Sequence, residues 1–309
     1  MVDLSVIIPS YRAPELLCNA IRSLAQDDAF AGTAQIVVVD DGSPEYDASK
    51  FAGLSGRWPL KLLRLETNRG RAAARNKGLQ QADGDVVIFL DGDMTVLPGF
   101  LQAHAEFHQR HTHTIAVGDI RFGSDIRVDA MTRYVHSRGV SRYGAGPVPF
   151  KCFVTGNSSV PRAALAVTGG FDESFVTYGG EDLELGYRLH LQDVGVHYLP
   201  QARSLHHDVR SFDEMSNTMS AYGRDSVPLL LGLHPELAPL LHLGFLQRSR
   251  WHPHSWLMHL ALWSPLQRMI SACVHSMVHW RLPSILLDYV WWSCRTRGYL
   301  SRPTADENR

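Results

Sequence analysis

Asp91 and Asp93 flank Gly92 directly after the apolar run Val86 to Leu90. At the end of a buried strand they would point hard oxygen donors into a crevice, and such donors suit Mg²⁺ or Mn²⁺. The same residues fit a solvated glycine turn. Asp40-Asp41-Gly42-Ser43 closes another apolar run, Ile36 to Val39. A carboxylate there can accept from a pyrimidine N–H or a ribose hydroxyl, or it can form an Asx turn. Pro9-Ser10-Tyr11 offers an aromatic ring for stacking on a base, and equally for rim or core packing. Arg69, Arg71 and Arg75 fall at a loop and helix start, where guanidinium forks bind phosphate; a solvated basic helix face has the same spacing. Further on, Glu181-Asp182 follows Gly179-Gly180. One carboxylate of such a pair can take a proton from a hydroxyl, whereas two acids favoured by a helix dipole are the plain alternative.

These residues need elements that bring them together. Leu4 to Ile8 is a short apolar run before Pro9, and Pro14 opens a helical stripe of Leu16, Leu17, Ala20, Ile21 and Leu24. Ile36 to Val39, Leu60 to Leu65 and Val86 to Leu90 repeat the strand pattern, and an Ala-rich helix runs from about Gly70 to Gln81. Apolar strands separated by helical segments predict an α/β fold. Its mostly parallel central sheet would be covered on both faces, with ligand loops at the carboxyl strand ends. Beyond Pro98 the pattern predicts a helix to about Arg110, a strand near Ile115 to Phe122, a helix over Gly179 to Gln192 and a strand at Val196 to Leu199.

The chain has 309 residues, 45% hydrophobic and 20% charged, which excludes disorder. Its formal net charge of −1 gives no global field for nucleic acid, so an anion site must be local. Cys18, Cys152, Cys273 and Cys294 form no C-x-x-C pair, which points to a reducing cytosol. Neither a signal-peptide pattern at Met1 to Pro9 nor a spanning apolar stretch is expected.

In order, Ser5-Val6-Ile7-Ile8-Pro9-Ser10-Tyr11, Val39-Asp40-Asp41-Gly42-Ser43, Asn68-x-Gly70-x4-Arg75-Asn76-x-Gly78 and Asp91-x-Asp93 resemble the signature of family 2 glycosyltransferases with the GT-A fold. Gly169-Gly170-Phe171-Asp172-Glu173 and Tyr178-Gly179-Gly180-Glu181-Asp182 are similar to the acceptor-side half of chondroitin polymerases and of galactosyl- and N-acetylgalactosaminyltransferases. The resemblance covers about residues 3–210. It implies a catalytic domain over 1–210, with a nucleotide-binding half at about 1–97 and an acceptor-binding half at 98–210. It also implies Pro9, Tyr11 and Asp41 at the base, Arg71 and Arg75 beside the nucleotide, and Asp91 near the ribose. Asp93 would be the direct metal ligand, with His206 as a further ligand or phosphate contact and His207 as its competitor. Asp182 matches the general base and Glu181 a sugar contact; Asn157 and Gly180 would line the acceptor or donor sugar, although Asn157 could instead cap a turn.

Residues 211–309 are expected to form a helical appendage. It holds six of the seven Trp (251, 256, 263, 280, 291 and 292) and nine Arg against seven acids. Ser264-Pro265 starts a helix whose stripe is Leu266, Ile270, Cys273, Val274, Met277 and Val278. Tryptophan and arginine beside such a stripe fit an interfacial membrane helix over 251–297, a cap on the sheet domain or a dimer contact.

The expected function is a Mn²⁺- or Mg²⁺-dependent inverting transfer of a hexose or N-acetylhexosamine. The donor would be a nucleoside-diphosphate sugar, taken as UDP-linked, and the acceptor a hydroxyl of a glycan, lipid-linked or secondary-metabolite molecule. No nucleic-acid partner is expected, and the placement expected is cytoplasmic, extending to the cytoplasmic face of the inner membrane. A sugar nucleotidyltransferase would carry a Gly-rich basic loop where Pro9-Ser10-Tyr11-Arg12 stands, and a dinucleotide dehydrogenase a G-x-G-x-x-G there. A non-catalytic sugar-nucleotide or glycan-binding protein of the same fold is the remaining rival.

Overall fold

The computed structural model of the chain describes residues 3–247 and 253–302. These form two compact units, the first comprising Met1–Ile126, His136–Val176 and Glu181–Val209. In chain order the elements are β1 (Leu4–Ser10), α1 (Pro14–Ala25), β2 (Ala34–Asp40), β3 (Leu60–Arg64), α2 (Arg71–Leu79), β4 (Val86–Leu90) and β5 (Met94–Val96). There follow α3 (Phe100–Arg110), β6 (Thr114–Phe122), α4 (Ala130–Arg138), β7 (Gly146–Val148), β8 (Asn157–Pro161), α5 (Arg162–Thr168), α6 (Glu181–Leu191) and β9 (Gly195–His206). α4 starts within the second unit's segment Arg127–Val135.

The strands lie in the order β3-β2-β1-β4-β8-β6-β9-β5, with β7 also paired to β9. β3, β2, β1 and β4 are mutually parallel, as the apolar runs predict. Beyond β4 the sheet is mixed, because β8 runs antiparallel to β4 and β6, and β5 and β7 antiparallel to β9. Continuous apolar runs arise because both faces of these strands are covered. Val6, Ile8, Ile36, Val38, Ile88 and Leu90 pack with α1 and α3 on one side, while Ile7, Val37, Val39, Val87 and Phe89 pack with α2, α5 and α6 on the other. The small residues of α2 have a steric cause: a Cβ on Gly78 would meet Ile7 Cγ2 at 2.5 Å, so the helix lies close against the sheet.

Two features differ from expectation. The β2–β3 link holds only a single 3₁₀ turn, Ala48–Phe51. β9 continues through Pro200 to His206, because its pairing with β6 shifts between Gly118 and Asp119 and leaves residues 200–202 without partners on that strand. A residue lacking an N–H is tolerated at such an irregularity.

The second unit comprises Arg127–Val135, Thr177–Gly180 and Arg210–Arg309. Its helices are α7 (Phe212–Ala221), a π turn at Tyr222–Ser226, α8 (Val227–Leu233), α9 (Pro253–Ala261), α10 (Ser264–Ser276) and α11 (Ser284–Leu300). Ser211 and Glu214 form a capping box that starts α7. The core gathers Phe212, Val274, Val278, Leu287, Val290, Trp291 and Cys294 with Ala130 and Met131. A Cβ at Gly223 would stand 1.8 Å from the Arg295 carbonyl oxygen, so α11 crosses here at backbone contact. Of the expected α10 stripe, Val274 and Val278 are buried and Ile270 packs against them, whereas Cys273 and Met277 are exposed. Trp251 lies outside the described residues. No helix among the described residues is long and apolar enough to cross a membrane.

Candidate active site

The site of the first unit is built around Arg75. It stands on the buried face of α2 and is 1% exposed, an unusual place for a guanidinium unless it is paired. Its Nη2 donates to Asp91 Oδ1 at 3.1 Å, its Nη1 to Glu181 Oε1 at 3.2 Å, and the same Nη1 lies 3.6 Å from Asp182 Oδ1. The Phe171 ring sits beneath it, 5.5 Å from centroid to guanidinium carbon. Burial alone would lower its pKa, but Asp182, Asp91 and Glu181 together hold it above the ordinary value. Carboxylates from the end of β4 and the start of α6 thus meet one cation.

Asp182 is fixed by Thr155, whose backbone N–H donates to Oδ2 at 3.1 Å and whose hydroxyl donates to Oδ1 at 2.8 Å. Burial and the neighbouring Glu181 push its pKa up to about 6, against the pull of Arg75 and the Thr155 hydrogen bonds. Glu181 is buried, and its Oε2 has no hydrogen-bond partner. Gly180, at φ +99°, and Gly179, at φ +81°, turn the chain into α6 through backbone angles that favour glycine.

Asp93 closes the β4–β5 turn, directly before β5, and its Oδ2 lies 3.2 Å from His206 Nε2. The pairing follows from register, since Met94 stands opposite His206 on the neighbouring strand. Burial opposes ionisation of Asp93, yet the His206 hydrogen bond and charge, with Arg71, hold its pKa below the usual value. His206 is shifted up, because Asp93, Asp91 and Asp208 outweigh its burial. Asp93 Oδ1 is buried without a partner. His207 is directed elsewhere, with Nε2 2.8 Å from Thr95 Oγ1 and Nδ1 3.0 Å from Asp125. His206, and not His207, therefore faces Asp93. Among the described residues no group of three or more His, Cys, Asp or Glu side chains forms a closed metal cage.

At the β1 and β2 ends, Pro9 precedes Ser10, whose carbonyl accepts from the Asp41 N–H at 2.8 Å. Tyr11 is 39% exposed, with the Arg12 guanidinium 5.0 Å over its ring. Asp41 is buried and accepts from the backbone N–H of Arg69 at 2.7 Å and of Gly70 at 2.9 Å, so it pins the loop that leads into α2. Burial raises its pKa against those two hydrogen bonds. Arg71, on the first turn of α2, is exposed. Beside these ends lies a cavity of about 430 Å³ lined by Ser10, Arg12, Asp40, Ser43, Tyr46 and Lys50 among others.

Asn157 is not brought to this cleft. It is fully buried, donating from Nδ2 to the Ala202 carbonyl and Ser204 Oγ, both at 2.9 Å, with Oδ1 3.2 Å from His104 Nε2. Its amide is thereby committed to the interior. Conversely, sequence reasoning missed Thr155, the clamp on Asp182, and assigned no task to Asn76. Asn76 exchanges hydrogen bonds of 2.9 Å with the Phe171 backbone and donates to Glu173, holding the loop whose Phe171 ring supports Arg75. The only available signal was their place beside Asn157 and inside the Arg75 segment.

The mixed sheet, with carboxylates from the end of β4 and the start of α6 meeting one guanidinium, has the GT-A fold. The family described as glycosyl transferase family 2 matches residues 5–165, and the N-terminal domain of galactosyltransferase matches 137–211. The chain belongs to glycosyl transferase family 2. It is 30% identical over 238 residues to an uncharacterized glycosyltransferase, YfnE, of Bacillus subtilis (strain 168), covering 60% of each chain. It is 29% identical over 219 residues to validoxylamine A glucosyltransferase of Streptomyces hygroscopicus subsp. jinggangensis (strain 5008), covering 62% of this chain and 52% of that one. The chain therefore spans about half to three-fifths of the length of these curated relatives. In fold it is similar to residues 1–349 of TarS from S. aureus in complex with UDP, with a TM-score of 0.56 and 18% identity over 96% of this chain and 91% of that one.

Proposed function

We propose that the chain is a metal-dependent, inverting glycosyltransferase. The donor is a nucleoside-diphosphate sugar, read as UDP-linked, carrying a hexose or N-acetylhexosamine. The acceptor is a hydroxyl of a glycan, lipid-linked or secondary-metabolite molecule. The observation that carries this is the convergence of Asp91, Glu181 and Asp182 on buried Arg75, which ties the nucleotide side of the cleft to a candidate base. UDP in the TarS complex and the glucosyl transfer in the name of the Streptomyces relative agree with it.

In this scheme Tyr11 stacks on the base beside Pro9, Asp41 and Asp91 accept from base and ribose, and Arg71 meets phosphate charge. Asp93 and His206 fit a divalent cation: an oxygen and an imidazole nitrogen already lie side by side, and the buried, unpartnered Asp93 Oδ1 is a donor in need of a ligand. Bound there, Mn²⁺ or Mg²⁺ would neutralise charge on the leaving diphosphate.

The remaining chemistry belongs to the chain. With a pKa of about 6, Asp182 is ionised at neutral pH yet basic enough to accept a proton. It takes the acceptor hydroxyl proton as that oxygen forms its bond to the anomeric carbon. The bond from that carbon to the diphosphate oxygen breaks on the opposite face, which inverts the centre. Thr155 keeps the carboxylate aimed, and Glu181 is placed for a sugar hydroxyl. Epimeric donors differ by few contacts, so the decisive experiment screens a panel of nucleotide sugars for Mn²⁺-dependent release of nucleoside diphosphate, then weighs the products by mass spectrometry. Release with one donor supports the scheme. A chain that binds nucleotide sugars but releases nothing with any donor and acceptor would instead be a binding protein.

A further inference from the structure

α9 leaves several of its large apolar side chains on the outward side. Its inward positions include Ser255, fully buried with its hydroxyl donating to the Phe245 carbonyl at 3.0 Å, and His259, whose ring meets Phe245 at 5.5 Å. Its outward positions are Trp256, Leu257 and Leu260, continued by Trp263, which are 56, 56, 46 and 59% exposed. Trp256 and Leu260, four residues apart, lie on one face of α9, with Leu257 on its flank and Trp263 just beyond the helix end.

α10 repeats the arrangement. Ile270, Val274 and Val278 face the core, while Met269, Cys273, Met277 and then Trp280, which is 71% exposed, form a stripe on the solvent side. Isolated exposed apolar residues are ordinary, but a run of them along two successive helices marks a contact surface.

Charge selects the partner. Residues 237–287 contain no Asp or Glu, in a chain with 31 acidic residues, yet carry four Arg and six His. A surface meant for a basic protein would carry acids, and one meant only for solvent would not carry tryptophans. We propose that the outward faces of α9 and α10 dock onto the anionic surface of a lipid bilayer. Trp256, Trp263 and Trp280 seat their rings at headgroup level, and exposed Arg268 and Arg281 pair with phospholipid phosphates. Neither helix is long enough to cross a bilayer, so contact would be made along its surface. The inference is independent of the transferase scheme.

The test uses the full chain and vesicles of phosphatidylglycerol and phosphatidylcholine in equal parts. The chain should sediment with these vesicles and remain in the supernatant with phosphatidylcholine alone. Each of Trp256→Ser, Trp263→Ser and Trp280→Ser should weaken binding by about tenfold. Arg268→Glu with Arg281→Glu should remove the preference for anionic lipid, while Val167→Ser, on the other unit, changes nothing. Brominated phosphatidylcholine incorporated into the mixed anionic vesicles should quench tryptophan fluorescence of the unmodified chain, a readout that needs no variant to fold. Three results would overturn the proposal: no sedimentation or quenching with anionic vesicles, unaltered sedimentation of the triple tryptophan variant with native circular dichroism, or a dimer that this variant converts to monomer while lipid is ignored.

Discussion

Arg75 Nη1 lies between Glu181 Oε1 at 3.2 Å and Asp182 Oδ1 at 3.6 Å, so one buried nitrogen balances two adjacent carboxylates. Without that cation the two acids would repel each other in a site largely shut from water. Arg75→Met should therefore destabilise the chain by about 3–5 kcal/mol, because uncompensated buried charge remains. Thermal denaturation measures this, and an unchanged melting temperature would mean that the acids do not depend on Arg75.

The pH dependence has a definite sign. A base works only when deprotonated, and burial beside Glu181 raises Asp182 to about 6. Turnover at saturating donor should thus fall as pH drops through about 6 and level off above it. Thr155→Val deletes a hydrogen bond that holds this pKa down, so the limb should move to higher pH while the backbone hydrogen bond remains. A limb that stays in place would detach Thr155 from the base.

Metal dependence should follow the Asp93–His206 pair. Asp93→Ala should abolish the gain in UDP affinity that Mn²⁺ confers, and His206→Ala should reduce it by roughly ten- to a hundredfold. Calorimetric titration with UDP, with Mn²⁺ or with a chelator, reads this directly. Equal Mn²⁺ gains in wild type and Asp93→Ala would place the cation elsewhere.

Asn157 should behave as an interior residue. Asn157→Ala strands the Ser204 and His104 partners and should cost about 1–3 kcal/mol, while UDP affinity below the transition stays near wild type. A selective loss of UDP affinity with unchanged stability would return Asn157 to the cleft.

What was legible in the sequence follows from periodicity and end signals. The parallel strands β1 to β4 are continuous apolar runs because both faces are buried, and Pro14 and Gly179-Gly180 announce their helices. Less was legible where three-dimensional pairing decides. Pro200 reads as a strand end, but an irregularity opposite Gly118 and Asp119 carries β9 past it to His206. His206 and His207 are indistinguishable in sequence, and only the register with Met94 turns one toward Asp93. Polar Asn157 looks like a ligand contact until its partners His104 and Ser204, distant in the chain, close around it. Cys273 and Met277 follow the apolar stripe of α10 closely enough to be read as core, yet both lie on its exposed side.

The most direct measurement is the turnover and donor affinity of Asp182→Asn, which keeps the side-chain shape and removes the proton acceptor. With the matched donor and acceptor, affinity for the nucleotide sugar should stay close to wild type while turnover falls by on the order of a hundredfold or more. Full turnover in this variant would contradict the assignment of the base.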